Sequence, residues 1–501
     1  MTDLKIENRK KKENEGAAAY IGIAAPETPK YLLTNNFLAD YFETTKGGVR
    51  YSFAGFVEDQ MLYTEEDKIN EKKLEVSFNR FLDRYLGEEI IREENTRLKK
   101  SEHFYFPLIP EMLTGSTATL RHVLYHIQRL GNNFNYTDIQ KKLERYIFED
   151  NSGLNYILKI LFQGKKHETK YKKEEKEDYW KQMDTSVKRR MAVLGRKLNE
   201  DLDTLLTKPY FLNLDFYRRY HYLSVLLTSY VIQYILARKE SQAVILCKGN
   251  PMDSQLGGTL HRACCNNYED IRNLFPSLLK DYYEKTIRRL IRSNEDQENL
   301  SISGKDGKVT INGEDFQEFA DDMIGRKTSS SIPYEKLMDA FKLQEGESKK
   351  FSVNDFVLRY VNLTKTRRGS TVTKLSSTLS TSGKQIEMVY PRSNAKQKYF
   401  AMSENLAEFY VRLYLARKDQ KYDYLDNFLR DLQKRYQIII TKSAEGDRKM
   451  RTIKPKVSAQ DYAKNKLAFI ETLNNVSCLI KLSDSGYVIT LPEMKGDFRL
   501  I

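Results

Sequence analysis

The stretch "SCLIKLSDSGYVITLPE", residues 477–493, decides how the fold of this chain is interpreted. Its residues follow the two-residue period of a strand on both sides of a polar, glycine-containing turn at 483–486, which predicts a β-hairpin. A two-stranded hairpin is only marginally stable by itself. We therefore expect this hairpin to pack on the helices that precede it.

Three segments with helical spacing of apolar residues precede the hairpin, at 402–418, 421–441 and 458–476. Helices followed by a hairpin are the layout of a winged-helix domain, and the helix at 424–436 is the one expected to face a partner. A basic loop, "AEGDRKMRTIKPK", occupies residues 444–456.

Clustered lysine and arginine side chains in this loop suit contacts to DNA phosphates, which position a protein without reading sequence. The expected DNA-contacting residues of this segment are Lys442, Arg448, Lys449, Arg451, Lys454 and Lys456. The alternative is a protein-docking winged helix with a solvated lysine loop, because the architecture does not fix the function.

A second candidate for DNA contact is the segment "TKTRRGSTVTKLSSTLSTSG" at 364–383. It places Lys365, Arg367 and Arg368 before a helix that is rich in Ser and Thr and contains Lys374. Small hydroxyl side chains on a helix can hydrogen-bond a phosphate backbone at close range. The alternative is a flexible Ser/Thr-rich loop. If both segments contact DNA, the last third of the chain holds two tandem DNA-binding modules.

The rest of the chain is mainly helical in its periodicity, with a core helix predicted at 222–237, a strand-like run beginning "AVILCK" at 243, and a small hairpin at 301–316. The expected fold class is mainly α with small β-hairpins: a multi-domain helical body with C-terminal winged-helix-like domains. The expected domains are a disordered tail (1–16), an N-terminal helical domain (17–164), a charged linker (165–183), a central helical domain with a small β insert (184–345), a winged-helix-like module (346–400) and a C-terminal winged-helix-like domain (401–501).

The composition favours a polyanionic partner. The chain has 501 residues, 83 Lys+Arg against 69 Asp+Glu, and a net charge of +14. Nucleic acid is the usual partner of such a protein and a membrane surface is the second, although a lysine-rich proteome also yields basic proteins. Four cysteines without framework spacing indicate a reducing compartment. The charged first 16 residues and the absence of an apolar run of about 18 residues predict a cytoplasmic protein without a membrane span.

No catalytic motif is evident in the sequence. There is no GxxxxGK[ST] phosphate loop, no GxSxG and no HExxH. His122 and His126 are four residues apart on a helix, without a third ligand nearby in sequence. The segment "CKGNPMDSQLGGTLHRACC" at 247–265 contains three cysteines and one histidine, but no CxxC. We therefore predict no enzymatic activity, no catalytic residue, no cofactor and no metal site.

Two segments show a family resemblance. "MSENLAEFYVRLYLARKDQKYDYLDNFLRDLQKRYQIII" at 402–440 and "EDNSGLNYILKILF" at 149–162 resemble accessory proteins of bacterial anti-phage operons, of the phosphorothioation-dependent restriction protein DptG type. The resemblance implies a non-enzymatic subunit that works beside an ATPase of the motor or helicase type. It carries no residue roles.

These observations predict a DNA-binding, scaffolding subunit of a multi-protein bacterial anti-phage complex of the restriction type. Its expected partners are double-stranded DNA and an ATPase or nuclease subunit of the same system, with no membrane contact. Two alternatives stay open: a nuclease with a dispersed metal-dependent active site, and a transcription regulator.

Overall fold

The computed structural model describes about half of the chain. The described residues are 33–34, 37–38, 41, 118–148, 185–239, 243–252, 258–274, 277–278, 281, 302–305, 308–312, 339–342, 348–352, 354–356, 358–359, 362, 371–392, 397–442, 453–482 and 486–497. They are mainly helical with a few short strands, so the expected fold class is confirmed at that level. Among them, no helix combines the length and the apolar character that crossing a bilayer requires.

The described residues divide into two compact units. Those within Arg272–Leu379 form a smaller unit, and those within Glu27–Lys172, Thr185–Ile271 and Ser380–Ile501 form a larger one. Distant segments of the sequence thus build one body in the larger unit.

The helices of the larger unit are long and well separated along the chain. They are α1 (Ala118–Leu130), α2 (Tyr136–Phe148), α3 (Thr185–Thr207), α4 (Pro209–Leu212), α5 (Phe216–Lys239), α6 (Thr259–Arg272), α7 (Thr371–Gln385, which begins in the smaller unit), α8 (Glu404–Lys418), α9 (Leu425–Tyr436) and α10 (Ala459–Asn475). Every residue of α5 from Tyr222 to Arg238 is buried, which confirms the predicted core helix. A helix that carries apolar side chains on every side is typical of a protein interior, although five buried residues of this stretch are polar or charged.

Helices α1 and α3 cross closely. A Cβ atom on Gly195 would lie 1.8 Å from the carbonyl oxygen of Ile127, so only glycine permits this approach. In the same crossing, the Asn199 side chain donates to the carbonyl of Gln128 at 3.1 Å, a second hydrogen bond for a carbonyl in the last turn of α1 that also accepts from the Gly131 N–H.

Four short strands form the first sheet. They are β1 (Ile245–Lys248), β5 (Val389–Tyr390), β6 (Tyr399–Ala401) and β8 (Ile438–Ile439), in the order β5-β6-β1-β8. Strand β1 is parallel to both neighbours, and β5 is antiparallel to β6. The predicted strand at 243–248 is confirmed as the centre of this sheet, and β5 and β6, from the segment expected as a module at 346–400, join it.

The second sheet contains the C-terminal hairpin. Its strands are β7 (Tyr422–Tyr424), β9 (Leu479–Lys481) and β10 (Tyr487–Thr490), in the order β7-β10-β9 and all antiparallel. The predicted hairpin is confirmed, and it does pack on helices, since Ile489 is 0% exposed and Leu479 is 5% exposed. A 3₁₀ helix, Pro492–Asp497, follows β10.

Ion pairs of a buried arginine hold the end of the hairpin to the helices. Arg412 in α8 is 1% exposed and donates to the carboxylate of Glu493, just after β10. The same guanidinium donates to Glu408 at 3.0 Å and to the carbonyl of Tyr210 at 2.9 Å. The hairpin is therefore held to α8 and to the helical body at its C-terminal end.

Polar side chains set the starts of the helices around this sheet. The Ser403 hydroxyl accepts from the backbone N–H of Leu406 at the start of α8. Ser458 and Asp461 form a capping box at the start of α10. Such caps stabilise a helix by about 1 kcal/mol each.

The smaller unit contains a three-stranded antiparallel sheet. Its strands are β2 (Ile302–Lys305), β3 (Lys308–Asn312) and β4 (Ser348–Ser352), in the order β2-β3-β4. The hairpin predicted at 301–316 is confirmed as β2 and β3. The rings of Phe341, Phe351 and Phe356 pack together beside β4.

Candidate nucleic-acid interface

The parallel strands bring three chain segments to one edge of the first sheet. Strands β1, β6 and β8 end at Lys248, Ala401 and Ile439, and parallel strands have their carboxyl ends on the same side. In open α/β sheets this carboxyl edge is the usual place for ligand binding.

Helix α10 closes part of this edge through one asparagine. The buried Asn465 donates to the carbonyls of Cys247 at 2.9 Å and Ile440 at 2.7 Å, and it accepts from the N–H of Gly249 at 2.8 Å. The Thr472 hydroxyl donates to the carbonyl of Gly249 at 2.9 Å. A Cβ atom on Gly249 would lie 2.4 Å from the Asn465 carbonyl oxygen, so the strand end needs glycine there. Helix α10 is thus bonded to the ends of β1 and β8.

Three of the predicted DNA-contacting lysines lie where the chain leaves this edge and returns to it. Lys442 follows β8, and Lys454 and Lys456 precede α10; all three are exposed. The returning chain is anchored, because Ile453 packs into the core cluster that contains Leu246 and Cys264, and because Asn266 donates to the carbonyl of Lys454 at 2.9 Å. The backbone at Lys454 is therefore fixed, next to two exposed lysine side chains.

Most of the other predicted DNA-contacting residues lie outside the described part of the chain. Arg448, Lys449 and Arg451 lie outside the described residues, as do Lys365, Arg367 and Arg368. Lys374 lies in α7. The structure thus describes the two ends of the basic loop. DNA contact by the second segment, 364–383, stays a prediction.

The solvent-facing side of α10 carries little charge. Its exposed residues include Gln460, Lys464, Leu467, Glu471 and Asn474. One cation and one anion cancel on this face. The exposed positive charge in this region therefore comes from the lysines before α10 and not from the helix itself.

A second basic surface was missed by the sequence analysis. Arg189 and Arg196 on α3 are exposed, and so is Lys434 near the end of α9. The Lys197 ammonium joins the two helices, since it donates to the carbonyls of Lys434 at 3.2 Å and Arg435 at 3.0 Å. The signal in the sequence was the stretch 185–199, which contains five Lys and Arg and no acidic residue.

A buried carboxylate holds α3 against α8 and α9. Asp201 is 0% exposed and forms ion pairs with Arg435 at 2.7 Å and Arg417 at 3.1 Å. It also accepts hydrogen bonds from the hydroxyls of Tyr230 at 2.7 Å and Tyr436 at 2.5 Å. Burial, together with the negative charge of Asp201, raises the pKa of both tyrosines well above the ordinary value. Both hydroxyls thus stay protonated as donors, and the second basic surface rests on a rigid support.

Beside the carboxyl edge, one cysteine and one histidine side chain lie close together in a cluster of side chains. The Cys265 sulfur lies 3.6 Å from Nε2 of His261, whose ring lies 4.9 Å from that of Tyr399. The Lys248 ammonium, on a residue that is 3% exposed, lies 4.8 Å from the centre of the Tyr399 ring.

Protonation states argue against nucleophilic chemistry in this cluster. Burial raises the pKa of the Cys265 thiol, more than the nearby Lys248 charge lowers it. Burial and the Lys248 charge both lower the pKa of His261. A reactive pair needs a thiolate beside an imidazolium, and these shifts favour the neutral thiol and the neutral ring. We interpret these side chains as packing at the edge of the sheet.

The cysteines singled out in the sequence are separated by their surroundings. Cys264 faces the apolar cluster of the sheet, and burial raises the pKa values of Cys247 and Cys264. Within the described part of the chain, no three His, Cys, Asp or Glu side chains converge as metal ligands.

Comparison of this chain with protein-family models, with curated proteins and with solved structures found no match. The resemblance to accessory proteins of the DptG type therefore stays a prediction.

Proposed function

We propose that this protein is a DNA-binding, scaffolding subunit of a multi-protein bacterial anti-phage defence complex, and that its C-terminal region is a winged-helix domain. The protein contributes duplex binding and a docking body, and a partner ATPase or nuclease contributes the chemistry. The resemblance of 402–440 and 149–162 to accessory proteins of the DptG type is the reason for placing it in such a complex.

The winged-helix assignment is supported by the order and pairing of the C-terminal elements. The chain runs α8, β7, α9, α10, β9, β10, and β7 pairs with the second strand of the hairpin. This helix–strand–helix–helix–hairpin order matches a winged helix. The chain departs from the simplest version between α9 and α10, where β8 joins the first sheet and the basic loop follows.

The observation that carries the DNA-binding proposal is the placement of Lys442, Lys454 and Lys456. All three are exposed. Lys442 follows β8, and Lys454 and Lys456 come shortly before α10, the third helix of this domain, where Asn266 and the packing of Ile453 hold the backbone. The chain has a net charge of +14, which favours a polyanion over a neutral partner. The cations of α3 and α9 add a second surface of the same sign.

The test is duplex DNA binding by the full chain and by a variant with Lys442, Lys454 and Lys456 all replaced by Ala. If each lysine contacts one phosphate, the slope of log affinity against log salt should fall by about 2.7, at about 0.9 per contact in B-DNA. The loss should be similar for unrelated duplex sequences, because phosphate contacts carry no base information.

A matched control removes the same charge elsewhere. Lys141, Lys350 and Lys495 are also exposed, and replacing these three by Ala should leave the salt slope near that of the unmodified chain. Equal slopes for both triple variants would show that only net charge matters and would defeat the proposed interface.

The same preparations separate the scaffold from the nuclease alternative. The isolated chain should hydrolyse neither ATP nor DNA when Mg²⁺ or Mn²⁺ is supplied. Metal-dependent cleavage that copurifies with the chain and is lost on substituting one of its own acidic residues would replace the scaffold proposal by a nuclease. Copurification on a tagged chain, followed by mass spectrometry, should recover an ATPase or nuclease subunit.

A further inference from the structure

Two exposed tyrosines share one face of strand β7. Tyr422 is 45% exposed and Tyr424 is 60% exposed, although both belong to a strand of the second sheet. Residues two apart on a strand point to the same side. Large aromatic side chains are normally covered, so this face is a candidate interaction surface.

The residue between them fixes their direction. Asp423 points to the helical side, where it accepts from the Tyr414 hydroxyl at 2.6 Å, from Asn427 at 2.7 Å and from Lys418 at 3.1 Å. Pairing with β10 holds the same three residues of β7 from the other edge. The tyrosines are therefore presented outward by a strand that cannot rotate, which reduces the entropy lost when a ligand binds.

The surroundings of this face are positive. The carboxylates beside β7 are each engaged by a lysine: Asp419 with Lys208 at 3.4 Å, Asp423 with Lys418 at 3.1 Å and Asp426 with Lys466 at 2.6 Å. Lys421 and Arg430 add two further exposed cations. The charge thus complements a polyanion, and the exposed rings add a means of binding that a phosphate-only contact does not use.

From this arrangement we infer that Tyr422 and Tyr424 form a stacking platform for the bases of single-stranded nucleic acid. The inference rests on the proposed function in taking the polyanion to be nucleic acid. The two side chains leave the strand about 6.8 Å apart, at about 3.4 Å per residue. This is twice the 3.4 Å rise between bases of one DNA strand, so an unpaired strand drawn out over the platform can place one base on each ring. A duplex keeps its base faces stacked inside and cannot do so.

The test measures binding of a fluorescein-labelled oligothymidylate and of a duplex of equal length to the full chain. Replacing Tyr422 or Tyr424 by Ala should weaken oligothymidylate binding about 5- to 160-fold each, the range for one base stacked on one aromatic ring. Replacing both tyrosines by Phe should leave affinity within about twofold, because the ring remains. Duplex binding should be unchanged in all these variants. Met252→Ala, at a side chain that is 83% exposed on another segment, is the control for loss of apolar surface.

A direct readout guards against variants that fail to fold. An oligonucleotide containing bromodeoxyuridine should photo-crosslink to Tyr422 or Tyr424 of the unmodified chain, as mapped by mass spectrometry. Absence of crosslinks at both tyrosines, or unchanged oligothymidylate affinity in the double Ala variant, would overturn the platform.

The outcomes of the two proposals are distinguishable. Duplex binding that depends on the three loop lysines, without binding of single strands, keeps the proposed function and rejects the platform. Single-strand binding that depends on the tyrosines, without lysine-dependent duplex binding, keeps the platform and rejects the duplex interface. Capture of a partner protein that competes for the tyrosines while single strands do not bind would make this face a protein-docking surface and reject the platform.

Discussion

Asp201 should be the carboxylate on which the attachment of α3 to α8 and α9 depends. The substitution Asp201→Asn keeps the shape of the side chain and one acceptor oxygen but removes the charge that two guanidinium groups and two hydroxyls share. Removing one partner of a buried ion pair costs about 3–5 kcal/mol. Arg417 and Arg435 each keep another carboxylate, Asp431 and Glu200, which argues for the lower end of that range.

We therefore expect Asp201→Asn to lower the free energy of unfolding by about 3 kcal/mol and Asp201→Ala by about 4 kcal/mol. The matched control is Asp203→Asn, two residues further along the same helix. Asp203 is 53% exposed and pairs with Lys142, so its loss should cost less than about 1 kcal/mol. Both variants make the same chemical change, one at a buried carboxylate with four partners and one at an exposed carboxylate paired with a single lysine.

The assay is equilibrium urea unfolding followed by far-ultraviolet circular dichroism, with the denaturant slope compared among variants. Tyr436→Phe, made in the unmodified and Asp201→Ala backgrounds, completes a double-mutant cycle whose coupling should be about 0.5–3 kcal/mol. If Asp201→Asn and Asp203→Asn are equally mild, or if the cycle shows no coupling, the assignment of Asp201 as the shared carboxylate is wrong.

Three further outcomes follow from the structure. Asn465→Ala should destabilise the protein by about 3 kcal/mol in urea unfolding, because it leaves two buried strand-end carbonyls and one N–H without a partner; a loss below about 1 kcal/mol would contradict this. Gly195→Ala should lower the melting temperature, since its Cβ meets a backbone carbonyl at 1.8 Å, whereas Gly496→Ala, with nothing within 4 Å, should not. Burial raises the pKa of Asp423, but hydrogen bonds to its carboxylate outweigh burial and lower it to about 2. This pKa is below the unfolded value of about 4. The stabilising contribution of the Asp423 carboxylate is therefore present above pH 4 and is lost as pH falls toward 2. Asp423→Asn should reduce the loss of stability that an unfolding titration measures over this pH range.

The C-terminal hairpin and the helices around it could be predicted because their signals are local. Two-residue periodicity around a turn gives β9 and β10, and helical spacing gives α8, α9 and α10. The strand at 243–248 was also visible as a short apolar run. Its two neighbours in the sheet, β6 and β8, were not, because they contain three and two residues, which is too few for any period to be detected.

In the candidate site, too, some residues could be predicted from the sequence and others could not. Clustered charge is a compositional signal, so the lysines before α10 could be named from the sequence. Asp201 and Asp203 look alike in "LNEDLDTLL", and only the packing of distant helices makes one of them fully buried. The exposure of Tyr422 and Tyr424 likewise depends on which face of β7 the helices cover. The two-residue period of a strand shows that Tyr422 and Tyr424 share one face of β7. It does not show which face the helices cover.

Helix α10 connects the two surfaces that we propose bind nucleic acid. On its buried side Asn465 fixes the ends of β1 and β8, from which the basic loop starts and to which it returns. At its other end it leads into β9, whose partner β10 also pairs with β7, the strand of the tyrosines. On its exposed side one lysine and one glutamate cancel, so this helix supplies little of the charge that a DNA-reading helix normally brings to the groove. Phosphate contacts and ring stacking both bind nucleic acid without reading its sequence. With these two proposed contacts the protein would hold DNA and leave the choice of target to another subunit, as the proposed scaffolding role requires.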